Sequence, residues 1–221
     1  MAGKITALHF QKRNKDRVNV YVDERFAFGL AAIEAARLRV GQVLSDDDVA
    51  QLQGRDRVGK AYERALNFLS YRPRSEVEVR RNLRKKDVED EVIGAVIERL
   101  TRAGLVDDSE FARYWVENRV QFKPRGARAL HYELRKKGIA DSIIADALAD
   151  LDEELAARQV AEAGARRLAH LQARDFRRKL SAYMARRGFS YAVIAPLVEE
   201  LLDAKSCEAL VDIESEVKDN G

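Results

Sequence analysis

The sequence predicts a mainly α protein: three tandem three-helix repeats forming an elongated, curved molecule, preceded by a small β-meander and helical N-terminal extension. Three observations carry that reading. Only three prolines and twelve glycines stand among recurring Ala, Leu, Arg and Glu, a balance that favours helix over turn-rich sheet. Basic and acidic stretches alternate along the chain. A segment of roughly fifty residues occurs three times, and repeated units that contact mainly their neighbours build curved or extended molecules.

Residues 1–58 form the extension. Ile5 to Gln11 and Arg17 to Val22 are short β-like runs separated by the polar turn Lys12 to Asp16, and Phe26 to Gly29 follows a second turn at Asp23 and Glu24. Leu30 to Arg39 reads as a helix that Gly41 breaks, and Ser45 with Asp48 can cap another through Leu52. Gly54 to Lys60 reads as a polar linker.

The repeats follow at 59–107, 108–155 and 156–221, the last carrying an acidic tail. LRKKDVEDEVIGAVIERL from Leu83, LRKKGIADSIIADALADL from Leu134 and MARRGFSYAVIAPLVEEL from Met184 align without a gap. Ile93, Ile97 and Leu100, like their counterparts, fall at i, i+4, i+7 and form one helical core stripe. Upstream, Val79 with Leu83, Leu130 with Leu134 and Leu180 with Met184 mark a second, basic amphipathic helix. Gly138 and Gly188 stand where that helix ends, as left-handed cap residues, with Asp87 in their place in the first repeat.

A first helix fits Tyr62 to Ser70 and Phe111 to Val120, ending before the prolines Pro73 and Pro124. Ser75 and Glu78 then form a capping box, and the third repeat has Gln172 to Phe176 instead of the proline motif. Gly104 closes the first repeat, and Asp107 or Asp108 caps the next, a simpler role for this pair than metal binding or acid–base catalysis. Trp115 and Tyr114 are expected in the core. Tyr71 and Phe122 are expected to pack at a core or hinge rather than to stack on bases.

Net charge is only +3, yet seven basic residues between Arg72 and Lys86 face two acidic ones, and between Arg166 and Arg187 Asp175 alone opposes eight. Candidate partner- or DNA-binding residues are therefore Arg72, Arg74, Arg81, Arg84, Lys85 and Lys86; then Lys123, Arg125, Arg135, Lys136 and Lys137; and in the third repeat Arg177, Arg178, Arg186 and Arg187. Recurrence in three units speaks against a merely solvated helix face. His9, His131 and His170 are scattered without ligand spacing and there is no phosphate-binding glycine loop, so neither cofactor nor enzyme activity is expected. The acidic or neutral last helix of each unit argues against a base-reading helix-turn-helix protein. The single cysteine, Cys207, and the absence of a signal peptide or membrane-length apolar run point to a cytoplasmic protein, expected to be monomeric.

ALNFLSYRPRSEVEVRRNL, the junction GLVDDSEFARYW and the phrase ELRKKGI resemble the RecX family of RecA regulators, over about residues 60 to 202. That resemblance implies a partner, the RecA filament on single-stranded DNA, and a restraint on filament growth, ATP turnover, strand exchange and coprotease activity. Direct DNA contact through the basic helix faces, without RecA, is the alternative.

Overall fold

A computed structural model describes residues 3–219, with side chains through residue 206, so Cys207 and the acidic tail lie outside the described side chains. Two compact units divide the chain, residues 1–106 and 107–221. Among the described residues no helix is long and apolar enough to cross a membrane.

The first unit opens with strands β1 (Gly3–Phe10), β2 (Arg17–Val22) and β3 (Arg25–Ala31). Asp23 and Glu24 take positive φ, +49° and +66°, the geometry a two-residue hairpin turn needs at both central positions. Leu30 was expected to begin a helix. Instead it pairs with Val18 and is fully buried, leaving only the four-residue helix α1 (Ala32–Ala35). The two-residue strand β4 (Val43–Leu44), too short to leave a sequence pattern, completes an antiparallel sheet of order β3-β2-β1-β4. Ile5, Val18, Val20, Phe28, Leu30 and Leu44 form its core, against which Val49 and Leu52 pack.

Ser45 and Asp48 make the expected capping box, but the helix they start, α2 (Asp46–Leu69), runs 24 residues. The expected linker at Gly54 to Lys60 is thus helical, and a boundary near residue 59 falls inside α2. Tertiary contacts override the two glycines. Asp56, 6 % exposed, accepts two hydrogen bonds of 3.0 Å from Arg17 of β2 and pairs with Lys60 at 2.7 Å. Burial alone would raise its pKa; the hydrogen bonds and charges of Arg17 and Lys60 outweigh that and hold the carboxyl below its ordinary value.

The first repeat joins the C-terminal half of α2 to α3 (Glu76–Arg84) and α4 (Asp90–Arg102), with Ala61, Ala65, Val79, Leu83, Ile93, Val96 and Leu100 in its core. Ser75 and Glu78 form the capping box that the sequence predicts. The basic helix then ends in a Schellman turn: Val88 N–H donates to Leu83 C=O (3.3 Å) and Asp87 N–H to Arg84 C=O (3.0 Å), with Asp87 at φ +55°. The recurring apolar pair Leu83 and Val88 supplies the hydrophobic contact that accompanies such a cap. Gly138 and Gly188 occupy the same position at φ +83° and +90°. Asp87→Gly is accordingly expected to stabilise the first unit by about 0.5–1 kcal/mol, read from urea unfolding; a loss of stability would contradict the strain assigned to Asp87.

The second unit holds two repeats. Helices α5 (Asp108–Phe122), α6 (Ala127–Lys136) and α7 (Asp141–Leu148) pack around Phe111, Val116, Leu130, Leu134 and Ile144. Helices α8 (Glu153–Leu168), α9 (Ala173–Ala185) and α10 (Tyr191–Asp219) pack around Phe176, Leu180, Met184, Phe189, Ile194 and Val198. Asp107 caps α5, accepting from the Ser109 and Glu110 amides.

Where the first repeat has Ser75, the second has Gly126, which cannot cap α6 with a side chain. Two neighbours compensate. Glu153 of α8 accepts the Ala127 amide at 2.9 Å, and the Gly126 amide donates to Arg187 C=O at 3.0 Å. The backbones meet so closely that a Cβ on Gly126 would lie 2.5 Å from Gly188, and one on Gly188 would lie 2.4 Å from Ala129.

Candidate partner-binding surface

The cations of the second helices divide by what already holds them. Arg72 makes a two-pronged pair with Glu78 (3.1 and 2.9 Å), steadying the capping box. Arg74 lies over the Phe68 ring at 4.1 Å, with a buried Nε. Burial, then the neighbouring Arg72 charge, push its pKa down against the opposing pull of Glu78. Arg125 reaches Glu133 at 3.8 Å, Lys137 covers Trp115 at 4.1 Å, and Arg187 covers Tyr183 at 3.7 Å. These five are committed to the fold.

Four more make ion pairs in which both partners are exposed: Arg84 with Asp90, Arg135 with Asp141, Arg177 with Glu199 and Arg178 with Asp175. Exposed pairs contribute little, about 0–1 kcal/mol, so an incoming anion can displace them. The remaining six, Arg81, Lys85, Lys86, Lys123, Lys136 and Arg186, are exposed and form no ion pair among the described residues. Lys85, Lys136 and Arg186 occupy the same repeat position. Each sits in the last turn or cap of its helix, where the exposed carbonyl ends favour a cation.

Two grooves extend this surface beyond the residues that sequence spacing picks out. In the first repeat Lys85 and Lys86 share a groove with Arg64, Asn67 and Asn82; in the third, Arg178 and Arg186 share one with Arg167, Lys179 and Tyr183. Arg64 and Asn67 carry no signal in the sequence beyond their i, i+3 spacing on one helix. The second repeat fills the corresponding space. In the register that pairs Pro73 with Pro124 and Leu83 with Leu134, Trp115 replaces Arg64 and Glu133 replaces Asn82. The Trp115 indole N–H donates to Glu133 at 2.9 Å, Arg119 donates to the same oxygen at 2.8 Å, and Arg119 stacks over the indole at 4.2 Å.

Three aromatic expectations are corrected. Tyr71 is 84 % exposed and Phe122 66 %, because Tyr71 lies in the turn before Arg72–Pro73 and Phe122 is the last residue of α5 before Lys123–Pro124, each past the last core-facing position of its helix. Tyr114 is exposed as well. Neighbouring helical residues point about 100° apart, so only Trp115 of the two can flank the core.

Comparison with known proteins is consistent over residues 3 to 197. Residues 3–45 match the regulatory protein RecX N-terminal domain, and residues 61–100, 107–148 and 152–197 match the first, second and third three-helix domains of RecX. Regulatory protein RecX of Bacillus licheniformis is 34 % identical over 201 residues, which span 89 % of this chain and 76 % of the relative. That of Bacillus subtilis is 34 % identical over 202 residues with the same coverage. A crystal structure of regulatory protein RecX superposes with a TM-score of 0.75 at 29 % identity, covering 89 % of this chain and 99 % of the other. RecX from Lactobacillus salivarius gives 0.60 at 32 % identity, over 66 % and 97 % of the two chains.

Proposed function

Because the chain belongs to the RecX family of regulatory proteins, we propose that it is a negative regulator of RecA that binds the RecA filament on single-stranded DNA. It limits filament growth and, with it, ATP turnover, strand exchange and coprotease activity. It acts in the cytoplasm by binding rather than by catalysis, as a monomer. The observation that carries the contact surface is the recurrence, in three repeats, of a cation without an ion pair at the end of the basic helix: Lys85, Lys136 and Arg186. With Arg81, Lys86 and Lys123 they present exposed, hydrated charge, so an acidic protein surface or a phosphate can be met without first breaking an internal ion pair; Lys136 lies 4.9 Å over the exposed Tyr132 ring, a contact that leaves its charge unneutralised. Such charge speeds encounter and suppresses wrong partners more than it fixes register. Arg84, Arg135, Arg177 and Arg178 join on exchanging their exposed carboxylates, whereas Arg72, Arg74, Arg125, Lys137 and Arg187 serve by shaping the surface.

The test is RecA ATP turnover on single-stranded DNA, with this protein titrated in below the RecA concentration and its binding to the same DNA recorded without RecA. Inhibition at ratios too low to coat the DNA supports filament regulation. Inhibition only at DNA saturation would transfer the activity to a DNA-binding protein that needs no RecA. Charge reversal at Lys85, Lys86 and Lys136 is expected to weaken filament association by about tenfold, with the fold kept and only a modest loss of stability, about 1 kcal/mol, from placing anions at two helix C-termini. Lys137 is spared in that variant because it covers Trp115. A folded variant that inhibits as well as the parent would remove these residues from the surface.

A further inference from the structure

The outer face of the N-terminal sheet carries a feature that neither the repeats nor filament regulation uses. Val18, Val20, Phe28 and Leu30 point into the core, so the alternating residues between them point away from it. There His9 of β1, Tyr21 of β2 and Phe26 of β3 form a row across three strands. Ring centres are 5.4 Å apart for His9 and Tyr21 and 6.0 Å for Tyr21 and Phe26, both edge to face. A register shift between Val20 and Tyr21 sets Phe26 opposite Tyr21, and bulges of this kind re-aim side chains. Phe26 is 59 % exposed and His9 is exposed too, so among the described residues both ends of the row face outward, with Tyr21 half-buried between them.

Beyond His9 the same face turns polar. Gln11 donates to Asn19 at 2.8 Å, and both amides, with the Arg17 guanidinium, lie over Gly29, within 3.3 to 3.8 Å of where a Cβ would stand. An open depression here is lined by His9, Gln11, Asn19 and Tyr21 together with Lys12 and Arg13 of the hairpin turn. Lys12, Arg13 and nearby Lys15 make no ion pair among the described residues. Exposed aromatic rings at Phe26 and His9 next to amide donors and acceptors, with unneutralised cations at one end, match what single-stranded nucleic acid offers: splayed bases and a phosphate backbone.

We infer that the sheet is a binding platform for single-stranded nucleic acid, in which bases stack on Phe26 and His9, held apart by the edge-on Tyr21 ring, while Lys12, Arg13 and Lys15 hold the backbone. Gln11 and Asn19 meet the edge of a base that leaves the stack. This site goes beyond filament regulation and uses none of the basic-helix residues.

The experiment uses the full chain without RecA and a fluorescein-labelled oligothymidylate of about 15 nucleotides, at about 0.2 M salt, where phosphate-only contacts are weakened. A matched oligouridylate identifies DNA or RNA as the source of the strand, and an abasic strand of equal length isolates the backbone contribution. The pair His9→Leu and Phe26→Leu keeps apolar volume and is expected to weaken binding by about tenfold or more. Phe26→Trp, which keeps the π-face, is expected to bind as well as the parent or better. Ultraviolet cross-linking of the bound strand should map to β2 and β3. Unchanged affinity in the leucine pair, equal affinity for the abasic strand, or cross-links confined to the helical repeats would each overturn the proposal. Because RecA is absent, these outcomes are independent of the ATP-turnover test.

Discussion

Gly188→Ala is expected to destabilise the second unit by about 3 kcal/mol, combining backbone strain with steric overlap. Gly188 sits at φ +90°, where any side chain is strained, and an added Cβ would lie 2.4 Å from the Ala129 backbone nitrogen. Neither element can retreat freely, since the Gly126 amide is bonded to Arg187 C=O at the same crossing. Gly104→Ala provides the control. Gly104 has φ +66° but open space around it, so strain alone applies and the expected loss is about 1 kcal/mol. Urea unfolding of the two variants checks the difference, and equal losses would show that the close crossing carries no energy. The same geometry reverses an intuition at Gly126. Serine there would imitate the Ser75 cap, yet its Cβ would meet the Gly188 carbonyl carbon at 2.5 Å, so Gly126→Ser is also expected to destabilise.

Asp56→Ala is expected to lower the stability of the first unit by about 2 kcal/mol, because it strands a partly buried Arg17 guanidinium and removes the clasp between sheet and helix. Lys60, nearly half exposed, regains water and adds little. The pH dependence has a definite sign. The folded-state pKa of Asp56 lies below its ordinary value, so the carboxylate's contribution is fully present above about pH 4 and fades as pH falls through the depressed native value. The parent should therefore lose stability on acidification more steeply than Asp56→Ala in that range. Parallel acid limbs in urea midpoints would contradict the role assigned to the clasp.

The repeat architecture was legible because its signals are local. Leu83 and Val88 lie close in sequence, as do Gly188 and the helix it ends, so period and cap chemistry suffice. The linker misreading at Gly54 to Lys60 has the opposite cause. Each glycine lowers helix propensity by about 1 kcal/mol within the segment, while the contacts that hold this part of α2 reach across 39 residues to Arg17. The candidate surface shows the same division. Sequence spacing finds the basic helices of the repeats, but not Arg64 or the Lys12, Arg13 and Lys15 group, and whether a cation is spent internally depends on distant partners, as with Lys137 on Trp115 or Arg177 on Glu199. Exposure of Tyr71 and Phe122 was hidden for a related reason: aromatic character favours burial on average, and only the turn geometry shows that no core lies within reach.

Helix α2 carries sheet contacts at Val49 and Leu52 and repeat contacts at Ala61 and Ala65 on one uninterrupted rod about 36 Å long. A rod without a joint transmits force. Whatever grips the sheet therefore tows the first repeat with it, and the sheet can swing away only if α2 is unwound. The N-terminal extension is in this sense a handle rather than a tether, and tension applied to it would be felt at Lys85 and Lys86.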